Sequence, residues 1–461
     1  MQVSQPKTQL ELALSNGVAG ETQTLRSRGT ETCAAKSDLE PPVNTLATME
    51  MIVERENMKK ALKQVQRNKG APGPDGMTVK DLGAHLVDHW PAIRDQLLAD
   101  TYKPQPVRRV EIPKASGGKR PLGIPAVIDR LIQQAIMQIL QAEWDPTFSE
   151  HSHGFRPGRS AHGAVKEAQA LIVAGNSVVV DIDLEKFFDR VNHDILMGLA
   201  ARRVRDPRIL KLIRRYLTAG VMMDGLAAPT EEGVPQGGPL SPLLSNLMLD
   251  QLDKELEKRG HHFVRYADDA NIYVRSRRAG QRVMTNVERF LSRKLKLRIN
   301  AEKSAVDFPH RRKFLGFSFT SATKGTKRRI APQALARMKQ RVRKITRRRG
   351  RSLEQTVTEL SAYLRGWHAY YGLCETTKVF EVTDRWIRRR LRCLIWKHWK
   401  HGPRRYAELC KRGVGKELAA QTAGSHRGLW RLSNSKALSF ALDNNFFKSL
   451  GLPVFWKPKT T

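Results

Sequence analysis

The sequence predicts a mixed α+β protein. Short runs of β-branched and aromatic residues, among them 177–182 and the pair 263–267 and 270–274, read as strands, whereas residues 335–394 repeat apolar side chains at helical spacing. The chain has 461 residues and is 40% hydrophobic, enough for two or three domains with cores of their own. Its 81 Lys and Arg against 45 Asp and Glu leave a formal charge of +36. Clustered cations gain affinity by releasing counterions condensed on phosphates, so nucleic acid is the expected partner. No apolar run approaches the roughly 18 residues of a spanning helix, so no membrane partner is expected. The N-terminus has no basic segment followed by an apolar one, as a secretion signal would. Cys33, Cys374, Cys393 and Cys410 form no CxxC pair, which fits a reduced, cytoplasmic setting and no zinc site.

Residues 1–48 are polar and aperiodic and read as a flexible leader, or as an artefact of the assigned translation start. Order is expected from Met49, where Ile52, Met58, Leu62 and Val65 mark an amphipathic helix that runs into the loop KGAPGPDG at 69–76. VRRVEIPKASGGKRPLGIP at 107–125 reads as two strands joined by a Gly-Gly turn, with Lys114 and Arg120 near the tip. Such a hairpin suits a phosphate-gripping flap, and equally an ordinary solvated hairpin.

SVVVDIDLEKFFDRVNHDILM begins as a buried strand over 177–182. From Leu184 the period becomes helical, with Phe187, Phe188, Val191, Ile195 and Leu199 on one face. Asp183 therefore stands at the carboxyl end of a strand, where it is either an N-cap or a functional acid. In GVPQGGPLSPLLSNLMLDQLDKEL, from 233 to 256, the backbone bends around Gln236 before a helix begins, and Gly237 and Gly238 would let a base pair or template backbone approach closely.

RYADDANIY, at 265–273, sets two acids side by side in a basic chain. Drawn as a hairpin, it places Asp268 and Asp269 at or beside the turn, the one place where neighbouring side chains can be aimed together. Two close carboxylates repel, and a divalent cation removes that cost. If the fold brings Asp183, 85 positions earlier, to the same place, three hard oxygen ligands would suit two Mg²⁺ ions and nucleotidyl transfer. An acidic turn without metal is the competing reading.

Further on, Leu335, Met338, Val342 and Ile345, then Leu353, Val357, Leu360, Leu364 and Trp367, then 379 through 386 to 394, mark three core-facing helical stripes. Their opposite faces carry Arg341, Lys344, Arg348, Arg388, Arg389 and Arg390, left to face phosphate. Residues 311–351 hold 16 Lys or Arg and no acid, which points to nucleic-acid contact. In the last segment Trp430, Phe446, Phe447, Phe455 and Trp456 could stack on unpaired bases or pack a small core.

KGAPGPDG, EIPKASGGKRPLGIP, SHGFRPGRS, DIDLEKFFDRVNHDIL, GVPQGGPLSPLLSN, RYADD, LKLRINAEKS and FLGFSF, in that order, resemble the group II intron-encoded reverse transcriptases and maturases, most closely the compact bacterial IIC type. The resemblance covers nearly everything from residue 50 onward. It implies a right-hand polymerase with fingers and palm at 49–330, a helical thumb or maturase X domain at 331–400 that binds intron RNA and the template duplex, and a small DNA-binding region at 401–461. It implies Asp183, Asp268 and Asp269 as catalytic ligands of two Mg²⁺ ions and Phe188 as a gate against a 2′-hydroxyl, where position alone suggests a core Phe. Lys114 and Arg120 would hold the dNTP triphosphate, Gln236 would lie near the nucleotide and template, and Arg156 would be a fingers residue at the nucleic-acid interface. Asp181 and Asp189 are expected to be structural. The cysteine spacing does not fit the endonuclease that ends many relatives. The implied partners are intron RNA, an RNA template with a DNA primer, target DNA and dNTPs. Two other functions compete: an RNA-binding splicing cofactor without polymerase activity, and an intron-free reverse transcriptase of repair or defence.

Overall fold

The computed structural model describes residues 46–113, 118–223, 226–228, 231–321, 325–347 and 350–455. Most of the expected leader, with Lys114, Arg348 and Trp456, lies outside the described residues, as does the side chain of Arg120. The chain divides into two compact units, one holding the residues up to Ala164 together with Val179–Val306, the other Val165–Val178 and the residues from Asp307 onward. No described helix is long and apolar enough to cross a membrane.

The first unit opens with α1 (Met49–Val53) and α2 (Arg55–Asn68), separated where Glu54 leaves helical geometry and its carboxylate accepts from the Asn57 N–H at 3.1 Å. Ile52, Met58, Leu62 and Val65 are buried, as their spacing requires. After α3 (Leu82–Leu98), β1 (Val107–Pro113) and β2 (Lys119–Ile124) form the expected antiparallel hairpin, with Arg120 opposite Ile112. Next come α4 (Val127–Trp144), α5 (Ala161–Val173), most of which belongs to the second unit, and β3 (Val178–Ile182). They are followed by α6 (His193–Ala201), α7 (Pro207–Thr218), β4 (Val221–Met223) and β5 (Leu226–Ala228). One sheet has the order β2-β1-β4-β5. Helix α4 is buried along most of its length and packs against α2, where the Asn57 side chain donates to the Ala135 carbonyl at 3.2 Å.

After α8 (Ser241–Lys258) come β6 (His262–Tyr266), β7 (Asp269–Val274), α9 (Arg277–Phe290) and β8 (Ala305–Asp307), and the three strands join β3 in a second sheet. Its strand order is β6-β7-β3-β8. The β6–β7 hairpin is antiparallel with Tyr266 opposite Asp269, so Ala267 and Asp268 form the turn.

Residues 184–192 depart from the expected helix. Leu184 makes an antiparallel bridge to Ile299, the Glu185 N–H donates to the Arg298 carbonyl, and Lys186 takes φ 48°. A single 3₁₀ turn spans Phe187–Asp189 before Asn192 caps α6 by accepting from the Ile195 N–H at 2.9 Å. The carbonyls of Phe188 and Val191, which a helix would use internally, instead accept from Val234 and Gly233. Tertiary hydrogen bonds here override the local apolar period.

In the second unit, β9 (Phe317–Phe319) pairs antiparallel with β10 (Arg328–Ile330), followed by α10 (Pro332–Arg347), α11 (Leu353–Tyr371) and α12 (Lys378–His398). The first two stripes pack as expected. On α12 the core face is Phe380, Ile387, Leu391 and Ile395, while Val379, Trp386 and Leu394 only flank it. The expected stripe was therefore rotated by about one residue. The same core continues through Leu409, Ala419, Leu432, Leu438 and Phe447, so it crosses position 400 without a break. Phe447 lies in this core, Phe446 flanks it, and the Phe455 ring stacks on His368 at 4.9 Å, so packing claims these three, whereas Trp430 is 42% exposed. Leu391 is fully buried at the centre of this unit, and Leu391→Ala is expected to cost about 2–5 kcal/mol, read as a lower thermal unfolding midpoint.

Candidate active site

Asp183 directly follows β3, and the segment 300–304 wraps its backbone. The Asp183 N–H donates to Ser304 Oγ at 2.9 Å, and its carbonyl accepts from the Asn300 N–H at 2.8 Å. Lys303 Nζ lies 3.2 Å from Asp183 Oδ1. Nothing local in LKLRINAEKS signals this contact, which joins residues 120 positions apart. Asp183 does not cap a helix, since Asn192 does that work.

Asp268 is half-buried in the hairpin turn, and Asp269 is exposed as the first residue of β7. Strand β7 is the sheet neighbour of β3. With the Asn271 amide oriented so that its nitrogen donates, it reaches Asp181 Oδ1 at 3.0 Å and the Ala270 carbonyl at 3.2 Å. Alternate residues share a strand face, so Asp181 lies on one face of β3 with Asp183, and Asn271 on one face of β7 with Asp269. Asp181 is thus a cross-strand link. Among the described residues no group of three His, Cys, Asp or Glu side chains stands together as a metal-binding set. Carboxylates repel one another, and Asp183 takes a counter-charge from Lys303.

The first unit also holds a cavity of about 790 Å³. Phe188 and Gln236 both line it, together with Phe155, Arg130, Leu122 and Ile112. The two phenylalanines of the FF pair separate: Phe187 is 2% exposed and belongs to the core, whereas Phe188 is half-buried and borders the cavity. Gln236 donates to Asp189 Oδ1 at 3.4 Å, and its carbonyl accepts from the Gly123 N–H at 2.8 Å. Gly237 has φ 133°, and a Cβ there would come within 2.4 Å of the Gly123 carbonyl oxygen; one on Gly238 would come within 2.3 Å of Gln133 Oε1. The close approach expected at these two glycines is thus filled by β2 and α4 of the same chain.

Two cavity residues escaped the sequence reading. Phe155 has φ 58° and is 49% exposed, a combination that a bulky residue adopts only when its surroundings enforce it. Arg130 is 8% exposed, and its Nη2 donates to the Ala71 carbonyl at 2.7 Å, while its Nε has no partner among the described residues. Burial pushes its guanidinium pKa down. A helical spacing within α4 could have marked it as inward-facing, but not what it faces.

Arg156 is corrected from an interface residue to an internal clamp. It is 8% exposed; Nε pairs with Asp145 Oδ1 at 2.8 Å, Nη1 donates to the Ser149 and Ser152 carbonyls, and Nη2 donates to the Asp145 carbonyl at 2.7 Å.

The arginines of α12 are likewise engaged inside the second unit rather than standing on an open face. Arg388 has a side chain 13% exposed beside Asp384. Arg389 lies 4.0 Å above the Trp430 ring and donates to the Trp430 carbonyl at 2.7 Å. Arg390 donates to Thr346 Oγ1 at 2.9 Å and borders the Trp386 ring with Lys339 and Arg343. Because Ile387 and Leu391 point inward, Arg388 and Arg390 land on the flanks of the helix, while Arg389 lies opposite and packs against Trp430. Burial lowers the pKa of Arg388 and Arg390. Arg341 and Lys344 are exposed, Arg341 within 3.5 Å of Glu359. Arg156→Ala is therefore expected to destabilise the first unit by about 3–5 kcal/mol, and to leave unchanged the slope of log Kd for RNA against log salt. Thermal unfolding and a salt titration of binding check the two parts.

Residues 112–319 match the model of the reverse transcriptase (RNA-dependent DNA polymerase) family, and residues 335–413 match the group II intron maturase-specific domain. Protein YkfC of Escherichia coli (strain K12) is 33% identical over 311 residues, which cover 59% of this chain and 81% of that protein. The group II intron-encoded protein LtrA of Lactococcus lactis subsp. cremoris is 44% identical over 155 residues, 33% of this chain and 26% of LtrA. An uncharacterized 91 kDa protein in a cob intron of Schizosaccharomyces pombe is 36% identical over 188 residues, 41% of this chain and 23% of that one. The match thus spans about a quarter of these two intron proteins and four fifths of YkfC. The strand-end acids, the order of the motif blocks and the two consecutive domain matches agree, and the chain belongs to the group II intron-encoded reverse transcriptase and maturase family.

Proposed function

We propose that this chain copies RNA into DNA by extending a primer 3′-hydroxyl, with Asp183, Asp268 and Asp269 as the ligands of two Mg²⁺ ions. The observation that carries this reading is the strand order β6-β7-β3, which makes the strand leading into Asp183 the neighbour of the hairpin that carries the other two acids. The donor set fits the ion: hard carboxylate oxygens are what Mg²⁺ selects, and the Lys303 ammonium against Asp183 indicates a place that welcomes positive charge. When bound, a pair of such ions activates the attacking hydroxyl and stabilises the leaving pyrophosphate.

The chain's own residues bind and orient. Phe188, at the cavity wall, abuts the sugar and leaves no room for a 2′-hydroxyl. Phe155 offers a second aromatic surface to the base pair, and Gln236 a hydrogen-bonding amide. Lys114 and Arg120, either side of the Gly117-Gly118 pair in the sequence, neutralise the triphosphate. In the second unit, exposed Arg341 and Lys344 lie on the face that meets RNA phosphates. There the chain binds its parent group II intron RNA, assists its splicing, and then copies it from a primer in target DNA.

Primer extension on an RNA template tests the reading. Wild type extends, and the double variant Asp268→Asn with Asp269→Asn does not; equal extension by both would sink the proposal. Phe188→Ala is expected to weaken the preference for dNTP over rNTP by about 10- to 200-fold. An unaltered ratio of kcat/KM values for the two substrates would remove the gate.

A further inference from the structure

We infer that Arg265 is a positioning residue, which sets the catalytic turn through a buried clamp on Asp253. This rests on the function proposed above. Arg265 is 1% exposed and Asp253 is completely buried. Nε lies 2.7 Å from Asp253 Oδ1 and Nη2 2.5 Å from Oδ2, a bidentate pair that fixes the plane of the guanidinium. The remaining nitrogen, Nη1, donates to the Ala267 carbonyl at 2.9 Å and to Asn246 Oδ1 at 3.2 Å. Ala267 is the first residue of the turn, immediately before Asp268, and it holds φ 56° without being glycine.

The clamp is braced from outside the hairpin. Asn246, 1% exposed on α8, donates to the Gly154 carbonyl at 2.9 Å. Gly154 lies so close to the turn that a Cβ would come within 2.2 Å of the Ala267 nitrogen. On the other edge of β6, the Arg265 N–H donates to the His151 carbonyl at 2.9 Å, and the His153 N–H donates to the Arg265 carbonyl at 2.8 Å. One side chain thus joins α8 to the carbonyl at the root of the acid pair, and the 151–154 segment closes the turn from behind.

A buried ion pair is a poor source of stability compared with apolar residues of the same volume, so its use here is better explained by geometry. The planar fork of Arg serves both Asp253 and the Ala267 carbonyl at once, which a Lys ammonium on a flexible stem does not. Loosening it lets the turn choose among neighbouring conformations and moves the Asp268 and Asp269 carboxylates, while the Phe188 cavity is untouched. Metal affinity and kcat should therefore suffer, and KM for dNTP should not.

The test uses the full chain as wild type, Arg265→Lys and Asn246→Leu. Mn²⁺ binding is followed by electron paramagnetic resonance, with primer extension, primer-template affinity and thermal unfolding measured alongside. For Arg265→Lys, kcat is expected to fall about 10- to 100-fold. Mn²⁺ affinity and the Mg²⁺ concentration for half-maximal rate should worsen several-fold, with KM for dNTP and primer-template affinity within about two-fold of wild type. Asn246→Leu, which keeps the ion pair, should show a smaller change in the same direction. Wild-type Mn²⁺ affinity in either folded variant overturns the inference, as does a loss confined to KM. A wild-type chain that extends no primer would instead sink the proposed polymerase function, and the Mn²⁺ comparison would still decide the clamp.

Discussion

The pair of Arg265 and Asp253 is the constraint on which the rest of the site depends. A hairpin alone has a register set by its turn, but nothing in it fixes how the turn faces the neighbouring strand. The buried guanidinium supplies that reference by tying β6 to α8. Helix α8 begins just after the Gln236 loop, so the element that anchors the acid turn also positions the loop that lines the cavity. Asp183 is held separately, by Ser304 and Asn300, and the strand that leads into it is brought to the hairpin by the pairing of β3 with β7.

Charge serves two purposes in this chain, and only one of them is binding. Arg130, Arg156, Arg203 and Arg265 are each at most 8% exposed and hold carbonyls or carboxylates of the chain itself. On α12 Arg389 and Arg390 lie over tryptophan rings, where the apolar part of the side chain packs and the charge meets a π face. The formal charge of +36 therefore overstates what is available to phosphate. The usable cations are those such as Lys344, which α10 presents on its exposed face.

Elements held by local contacts are legible in the sequence, and the departures from it share one cause. The β1–β2 and β6–β7 hairpins follow from short-range alternation with turn residues between, and α10 and α11 from their apolar period. Residues 184–192 have a helical period too, yet their carbonyls go to Val234 and Gly233, partners more than 40 positions away that no window contains. The α12 stripe failed more gently. Trp386 and Ile387 are both apolar, and only the neighbouring helices decide which of the two faces the core. Arg156 resembles a ligand in the sequence because Arg often is one, and its internal acceptors are visible only in three dimensions.

The sequence by itself determined the inventory: which residues are acids at strand ends, which loops need glycine, which stripes must be buried, and that the surface is cationic. Those properties are set by side-chain chemistry and by contacts within a turn or two of the chain. Tertiary structure alone decided which of those groups meet. The neighbourhood of β3 and β7, the Lys303 contact to Asp183, the placing of Phe188 rather than Phe187 at the cavity, and the clamp beneath Ala267 all join residues far apart in the chain. Sheet pairing and burial select such contacts from many that local propensity leaves equally open.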